Sequence, residues 1–222
     1  GRERKTVSKT FDVISAVKVA VANQKLYLNR EDGFVGFGLK KDEFVCDCSD
    51  IDDVIAFRKD GRFMVTRVAE KTFVGKDVIH AAVWKKEDDR MIYNMMYRDG
   101  KGGKLMAKRF SATSITRDKE YDLTKGKEGS KVFYFTANPN SESEIVTVYL
   151  RPDSKARNKV FDFNFAELAI KGRGAIGNTV TQYPALKIIR KEVGGSTLGG
   201  VDIWYDPIVG CLNKDKRGDY LG

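Results

Sequence analysis

Apolar and polar side chains alternate along most of this chain, and the alternation breaks at recurring turns. "QKLYLNREDGFVGFGLKKDEFVCDC" alternates on either side of Asp32-Gly33, "DVIAFRKDGRFMVTRV" around Asp60-Gly61, and "MIYNMMYRDGKGGKLMAKRF" around Asp99-Gly100. An Asp-Gly pair between alternating runs marks a tight hairpin, because glycine takes the positive φ that such a turn needs. "VFYFTANPNSESEIVTVYL" repeats the scheme with Asn-Pro-Asn, and "VDIWYDPIVGCLN" with Asp-Pro. About five hairpins spaced tens of residues apart predict an all-β chain of repeated four-stranded units in a radial or solenoid arrangement.

Helical periodicity is scarce. The best candidate, "FDFNFAELAIK", opens with Phe161, Phe163 and Phe165 in alternation and reads as the start of a strand. The 13 Phe, 9 Tyr and 2 Trp fall mostly inside the alternating runs and are expected between sheets. The opening "GRERKTVSKT" is polar and unpatterned, so residues 1–12 read as a linker or expression remnant and 13–222 as the folded domain. With no initiating Met, no signal peptide and an abrupt stop at "YLG", the expectation is an internal piece of a longer polypeptide.

Charge narrows the choice of partner. The 222 residues carry 40 Lys+Arg against 31 Asp+Glu, a net +9, which favours a polyanion, either nucleic acid or an acidic membrane surface. No apolar run reaches membrane-spanning length, since Lys18 interrupts even "VISAVKVAVA", and no membrane partner is expected. Cys46, Cys48 and Cys211 are odd in number and form no C-x-x-C, which gives neither a disulfide framework nor a zinc ribbon and fits a reducing cytoplasm. Cys46 and Cys48 would share one strand face as small apolar groups. His80 is the sole histidine. Its strand-like place in "KDVIHAAVW" makes it a structural residue rather than a member of a catalytic triad.

One segment, "LAIKGRGAIGNTVTQYPALKII", carries a candidate motif. Gly172, Gly174 and Gly177 spell G-x-G-x-x-G, and Glu192 lies near the offset of a ribose-binding acid. A dinucleotide fingerprint needs a helix leaving the glycines. Here the exit "NTVTQYP" favours strand or turn and Pro184 would break a helix, so a dinucleotide-dependent enzyme is rejected. "GKD" at Gly75 to Asp77 likewise lacks the rest of a P-loop. What remains is an open backbone between Lys171 and Arg173. It is either a phosphate-contacting loop or a plain connection between two repeats.

"IKGRGAIGN" followed by "TVTQYP" resembles the glycine-rich box, QRRGGKG, of the C-terminal domain of bacterial DNA gyrase A subunits. "DVIAFRKDGRFMVTRV" and "YRDGKGGKLMAKRFSATSITRDKEYDLTKG" are similar to repeats of that domain and of its topoisomerase IV counterpart, and the resemblance runs from about Val13 to Gly222. It implies a β-pinwheel of about four to five blades that exchange strands, with duplex DNA running over a basic rim. Lys171 stands where the box has Gln, Arg173 keeps the second Arg, and Gly174 and Gly177 keep two glycines. Gly172, Ala175 and Ile176 replace an Arg, a Gly and a Lys. Such a degenerate box leans toward the topoisomerase IV type, which decatenates and relaxes, and away from gyrase-like wrapping and negative supercoiling. "GGSTLGG" fits the topoisomerase-IV-like A subunits of Bacteroidetes-type bacteria.

By that resemblance this piece is the non-catalytic, DNA-holding part of an ATP-hydrolysing type II topoisomerase. The cleaving tyrosine, the ATP site and Mg would lie elsewhere in the holoenzyme, with no cofactor or metal here. Its partners would be double-stranded DNA, the other A subunit of a dimer and, through the rest of the chain, the ATPase B subunit. The location would be the bacterial cytoplasm, with the nucleoid. Candidate phosphate contacts are the cations at turns and strand exits, Arg58, Lys59, Arg62, Lys76, Lys101, Lys104, Lys108, Arg109, Arg117 and Lys119, together with Lys171, Arg173, Gly174 and Gly177 of the box. Equivalent turns on successive blades would align these charges into a stripe. About six to ten phosphate contacts would make affinity fall steeply with salt. The rival reading is a propeller-like protein-interaction module whose cations serve solubility.

Overall fold

The computed structural model describes residues 22–199, 203–215 and 217–221; the linker expected at 1–12 lies outside them. The strands are β1 (Gln24–Asn29), β2 (Phe34–Gly36), β3 (Glu43–Cys48), β4 (Asp53–Arg58), β5 (Arg62–Arg67), β6 (Thr72–Phe73) and β7 (Val78–Trp84). They continue as β8 (Ile92–Arg98), β9 (Leu105–Ser111), β10 (Glu120–Asp122), β11 (Lys131–Asn138), β12 (Glu142–Leu150) and β13 (Val160–Asn164). The last are β14 (Ile170–Gly172), β15 (Asn178–Thr181), β16 (Ala185–Ser196), β17 (Trp204–Asp206), β18 (Cys211–Asn213) and β19 (Asp219–Tyr220). Among the described residues the only helical element is a 3-10 turn, Phe165–Glu167, which follows the alternating phenylalanines of β13.

These strands form five small sheets, ordered β3-β1-β2-β6, β10-β5-β4-β7, β11-β8-β9-β14 with β15 also on β9, β13-β12-β16 and β18-β17-β19. The order shows strand exchange. β6 follows β5 of the second sheet yet pairs with β2 of the first, and β10 follows β9 of the third yet pairs with β5 of the second. In the same way β14 and β15 follow β13 of the fourth sheet and complete the third. This is the β-pinwheel connectivity, in which each unit is finished by chain that has already entered the next.

Local chemistry explains the hairpins. Gly61 and Gly100 hold φ of 87° and 83°, the left-handed region that side-chain-bearing residues avoid. One expected hairpin is corrected. The strands flanking Asn-Pro-Asn do not pair with each other: β11 bonds β8 in the third sheet, and β12 bonds β13 and β16 in the fourth. The turn, closed by Ser141 N donating to Asn138 O at 3.1 Å, is a crossover between sheets.

The core lies between sheets rather than on one side of each. Val54 and Ala56 of β4 pack toward Leu26 and Leu28 of the first sheet, while Ile55 and Phe57 pack toward Tyr93 and Met95 of the third. Phe57 lies 4.7 Å from Tyr93 and 4.6 Å from Phe135, ring centroid to centroid. A third cluster joins Met96 and Leu105 to Val146, Val148 and Phe165. A fully buried side chain of this size is stabilised by about 1.5–3 kcal/mol, so the middle sheets are held from both faces. Cys46 and Cys48 join the first of these layers, and burial raises both thiols, Cys48 to about 11. His80 packs against Phe57, Tyr93 and Phe135, consistent with a structural role.

Candidate nucleic-acid interface

The glycine segment reverses direction along one edge of β9. β14 runs parallel to it, with Gly172 opposite Ser111, and β15 returns antiparallel, with Asn178 opposite Ala107. Strand therefore leaves the glycines, as the exit residues predict. Gly172 and Gly174 have open space where a Cβ would stand, so their backbone is approachable from outside. Gly177 differs: a Cβ there would come within 2.8 Å of Ala107 O and 3.1 Å of the Tyr97 ring. Its N–H donates to Tyr97 Oη at 3.2 Å.

Lys171 and Arg173 point their charges outward from this loop without a carboxylate partner among the described residues. Lys171 Nζ donates to Asn178 Oδ1 at 2.8 Å, and the Arg173 guanidinium lies 4.3 Å from the ring centroid of Tyr121 on β10. Lys119 stands at the same ring, 5.5 Å from its centroid. The neighbouring cations act on Tyr121, whose phenol is lowered by hydrogen bonding at Thr116 first and by Arg173 and Lys119 after it. Lys125, which sequence reasoning passed over, faces the same region, for it and Lys171 both act on the ammonium of Lys108. Tyr121 was also missed, because nothing local marks a strand residue as the platform for an arginine from another sheet.

The hairpin tips lie in a row. Val74 N donates to Gly33 O at 2.8 Å, joining the first tip to residues 74–77, and Lys59 N donates to Asp77 O at 2.9 Å, joining those residues to the second tip. Leu123 N donates to Gly61 O at 2.9 Å and Lys101 N to Glu128 O at 3.1 Å, so residues 123–130 link the second tip to the third. Lys59, Lys76, Lys101, Lys104 and Lys125 are exposed along this row, and the glycine loop meets it beside Leu123.

Not every expected cation is available there. Arg58 pairs with Asp60 at 3.0 Å and Glu120 at 2.8 Å, and Arg62 with Glu120 at 3.0 Å. Arg117 pairs with Asp53 at 2.8 Å. Two expectations are corrected outright. Lys108 and Arg109 are each only 2% exposed, because β9 lies inside the stack with both faces covered. Lys108 Nζ donates to Leu123 O at 3.3 Å and to Arg173 O, and desolvation lowers its ammonium to about 8. Arg109 donates to Asn94 Oδ1 at 3.1 Å, Ser141 O at 3.0 Å and Thr197 Oγ1 at 2.9 Å. Lys108 thus props up the glycine loop from beneath, and Arg109 clamps the crossover turn. Neither faces an external ligand.

No group of His, Cys, Asp and Glu able to hold a metal occurs among the described residues, and no helix there is long and apolar enough to cross a membrane. Over 138 residues the chain is 27% identical to the A subunit of DNA topoisomerase 4 from Borreliella burgdorferi, an alignment covering 62% of this chain and 22% of that protein. The chain therefore spans under a quarter of the length of this relative. Among solved structures it is similar to the C-terminal domain of DNA topoisomerase IV, with 10% identity and a TM-score of 0.44, over 78% of this chain and 62% of that one. Residues 25–193 match the model of the topoisomerase C-terminal domain of Bacteroidota, and the chain belongs to that family.

Proposed function

We propose that this domain holds duplex DNA against the row of hairpin tips and the glycine loop, as the DNA-binding part of a topoisomerase-IV-like A subunit. The observation that carries this reading is the chain of backbone hydrogen bonds from Gly33 through Asp77, Gly61 and Glu128, which sets lysines of the second and third tips and of the two bridging segments on one margin. Lys171 and Arg173 add two cations where the glycine loop joins that margin. Phosphates would be met by ammonium and guanidinium groups and by open backbone at Gly172 and Gly174, contacts that position a duplex without reading its bases. Strand cleavage, ATP hydrolysis with Mg, and assembly with B subunits and a second A subunit would belong to the rest of the protein.

The test is duplex binding by the 222-residue chain across a salt series. Affinity should fall by orders of magnitude between about 50 and 200 mM salt. Lys171→Ala with Arg173→Ala should weaken binding at every sequence alike. Salt-indifferent affinity, or none at low ionic strength, removes the reading. A second reading rests on a different part of the chain. Ile208 is 93% and Val209 70% exposed, and Leu186 and Val193 are exposed on β16, two apolar groups each suited to protein contact.

A further inference from the structure

The row of tips continues past the third hairpin, and there its construction changes. Residues 74–77 bridge the first two tips and residues 123–130 the next two, each bonded to both neighbours. The equivalent connection between the third and fourth sheets is only residues 182–184, between β15 and β16. It bonds the fourth tip, through Arg151 N donating to Pro184 O at 3.0 Å, and leaves a cleft of about 190 Å³ beside the third. Arg98, Gly103, Phe133, Arg151 and Tyr183 are among the residues lining it.

Arg98 is the telling residue. Its Nη2 donates to Gly129 O at 2.9 Å, but its Nε–H is buried and has no partner. The nearby carboxylates are engaged elsewhere, Asp99 with Lys127 at 2.7 Å and Asp153 with Arg151 at 2.8 Å. A buried guanidinium donor left unmatched is costly, and an oxyanion in the cleft would satisfy it once the Arg98 side chain turns to present that donor. Arg151 brings a second fork from the fourth tip. Its pair with Asp153 is exposed, 54% and 65% for the two side chains, so the fork can turn at little cost.

We propose that this cleft seats a phosphate group between the guanidinium groups of Arg98 and Arg151. The group is a phosphodiester of the duplex or a free phosphate, and the two sources share the same contacts. The duplex case rests on the rim reading above; the free-phosphate case stands without it. A seat here would carry a duplex path from the third tip onto the fourth, past Lys101 and Lys104.

The experiment follows the Arg98 Nε–H resonance of the 222-residue chain by nitrogen-15 NMR, on addition of inorganic phosphate and, separately, of a short duplex. Duplex affinity across salt is measured beside it for wild type, Arg98→Gln and Arg151→Gln. A phosphodiester seat predicts that duplex moves the resonance, and that Arg151→Gln weakens duplex binding about three- to tenfold and lowers the salt slope by about one. Arg98→Gln should do the same. Arg151 is exposed, so its variant tests the seat even if Arg98→Gln fails to fold. A resonance moved by phosphate in a chain that binds no duplex would leave a free-phosphate seat and remove the rim. A resonance unmoved by both ligands, with Arg151→Gln binding duplex as wild type, overturns the proposal. The rim then stands or falls separately on Lys171 and Arg173.

Discussion

The guanidinium of Arg173, in the glycine loop of the third sheet, stacks over the ring of Tyr121, on the strand that completes the second. A cation held over an aromatic face at an exposed site gains about 0.5–1 kcal/mol, and here the gain fixes where the loop presents its charge. Tyr121→Ala should lower duplex affinity about two- to fivefold through lost preorganisation. Tyr121→Phe keeps the ring and should retain most of the affinity. A duplex titration of both variants at one salt concentration checks this, and equal losses in both would refute the platform.

Lys108 makes the stability of the domain depend on alkaline pH in an unusual direction. Burial lowers its ammonium from 10.5 to about 8; Asp122 opposes the shift, and Lys171 and Lys125 add to it. Below pH 8 folded and unfolded chains both carry the proton, and between about 8 and 10.5 the unfolded chain keeps a proton the folded one releases. Stability contributed by this group therefore rises with pH across that window, with a limiting slope of about 1.4 kcal/mol per pH unit. Urea unfolding of wild type and Lys108→Met at pH 7, 8 and 9 should show wild type gaining on the variant as pH rises. A constant difference would mean that Lys108 is not titrating inside the fold.

His80 acts on the acid side. Burial first, and the charge of Arg30 second, lower its imidazole from 6.5 to about 4, and its Nε2 has no hydrogen-bond partner. The unfolded chain takes up this proton below 6.5 while the folded one resists until about 4, so stability is lost as pH falls through that interval. His80→Phe, set among Phe57, Tyr93 and Phe135, should remove that loss. Thermal unfolding at pH 7 and 4.5 should show a smaller drop for the variant than for wild type.

Hairpins were legible in the sequence wherever turn chemistry is local: Asp60-Gly61 and Asp99-Gly100 demand a positive φ, and the flanking runs then pair with each other. Asn138 to Ser141 turns just as sharply, but distant strands decide whether the runs beside it pair together, and β8 captured one of them. Charge misled for a related reason. A strand in a stacked middle sheet has two interior faces, so consecutive Lys108 and Arg109 are both buried on opposite sides. The glycine loop is strand-flanked as expected and open at Gly172 and Gly174 but closed at Gly177, and its contact with Tyr121 joins residues that only strand exchange makes neighbours.

That exchange also limits how such a chain can change its repeat number. Excising β8 and β9 with the segment up to β10 would remove not one unit but the second sheet's closing strand as well, stranding β5 without its neighbour. Inserting a copied unit at a visible hairpin boundary would leave an extra closing strand with no place to dock. Gains and losses compatible with folding must cut inside a sheet, between a hairpin and the strand that finishes the unit before it.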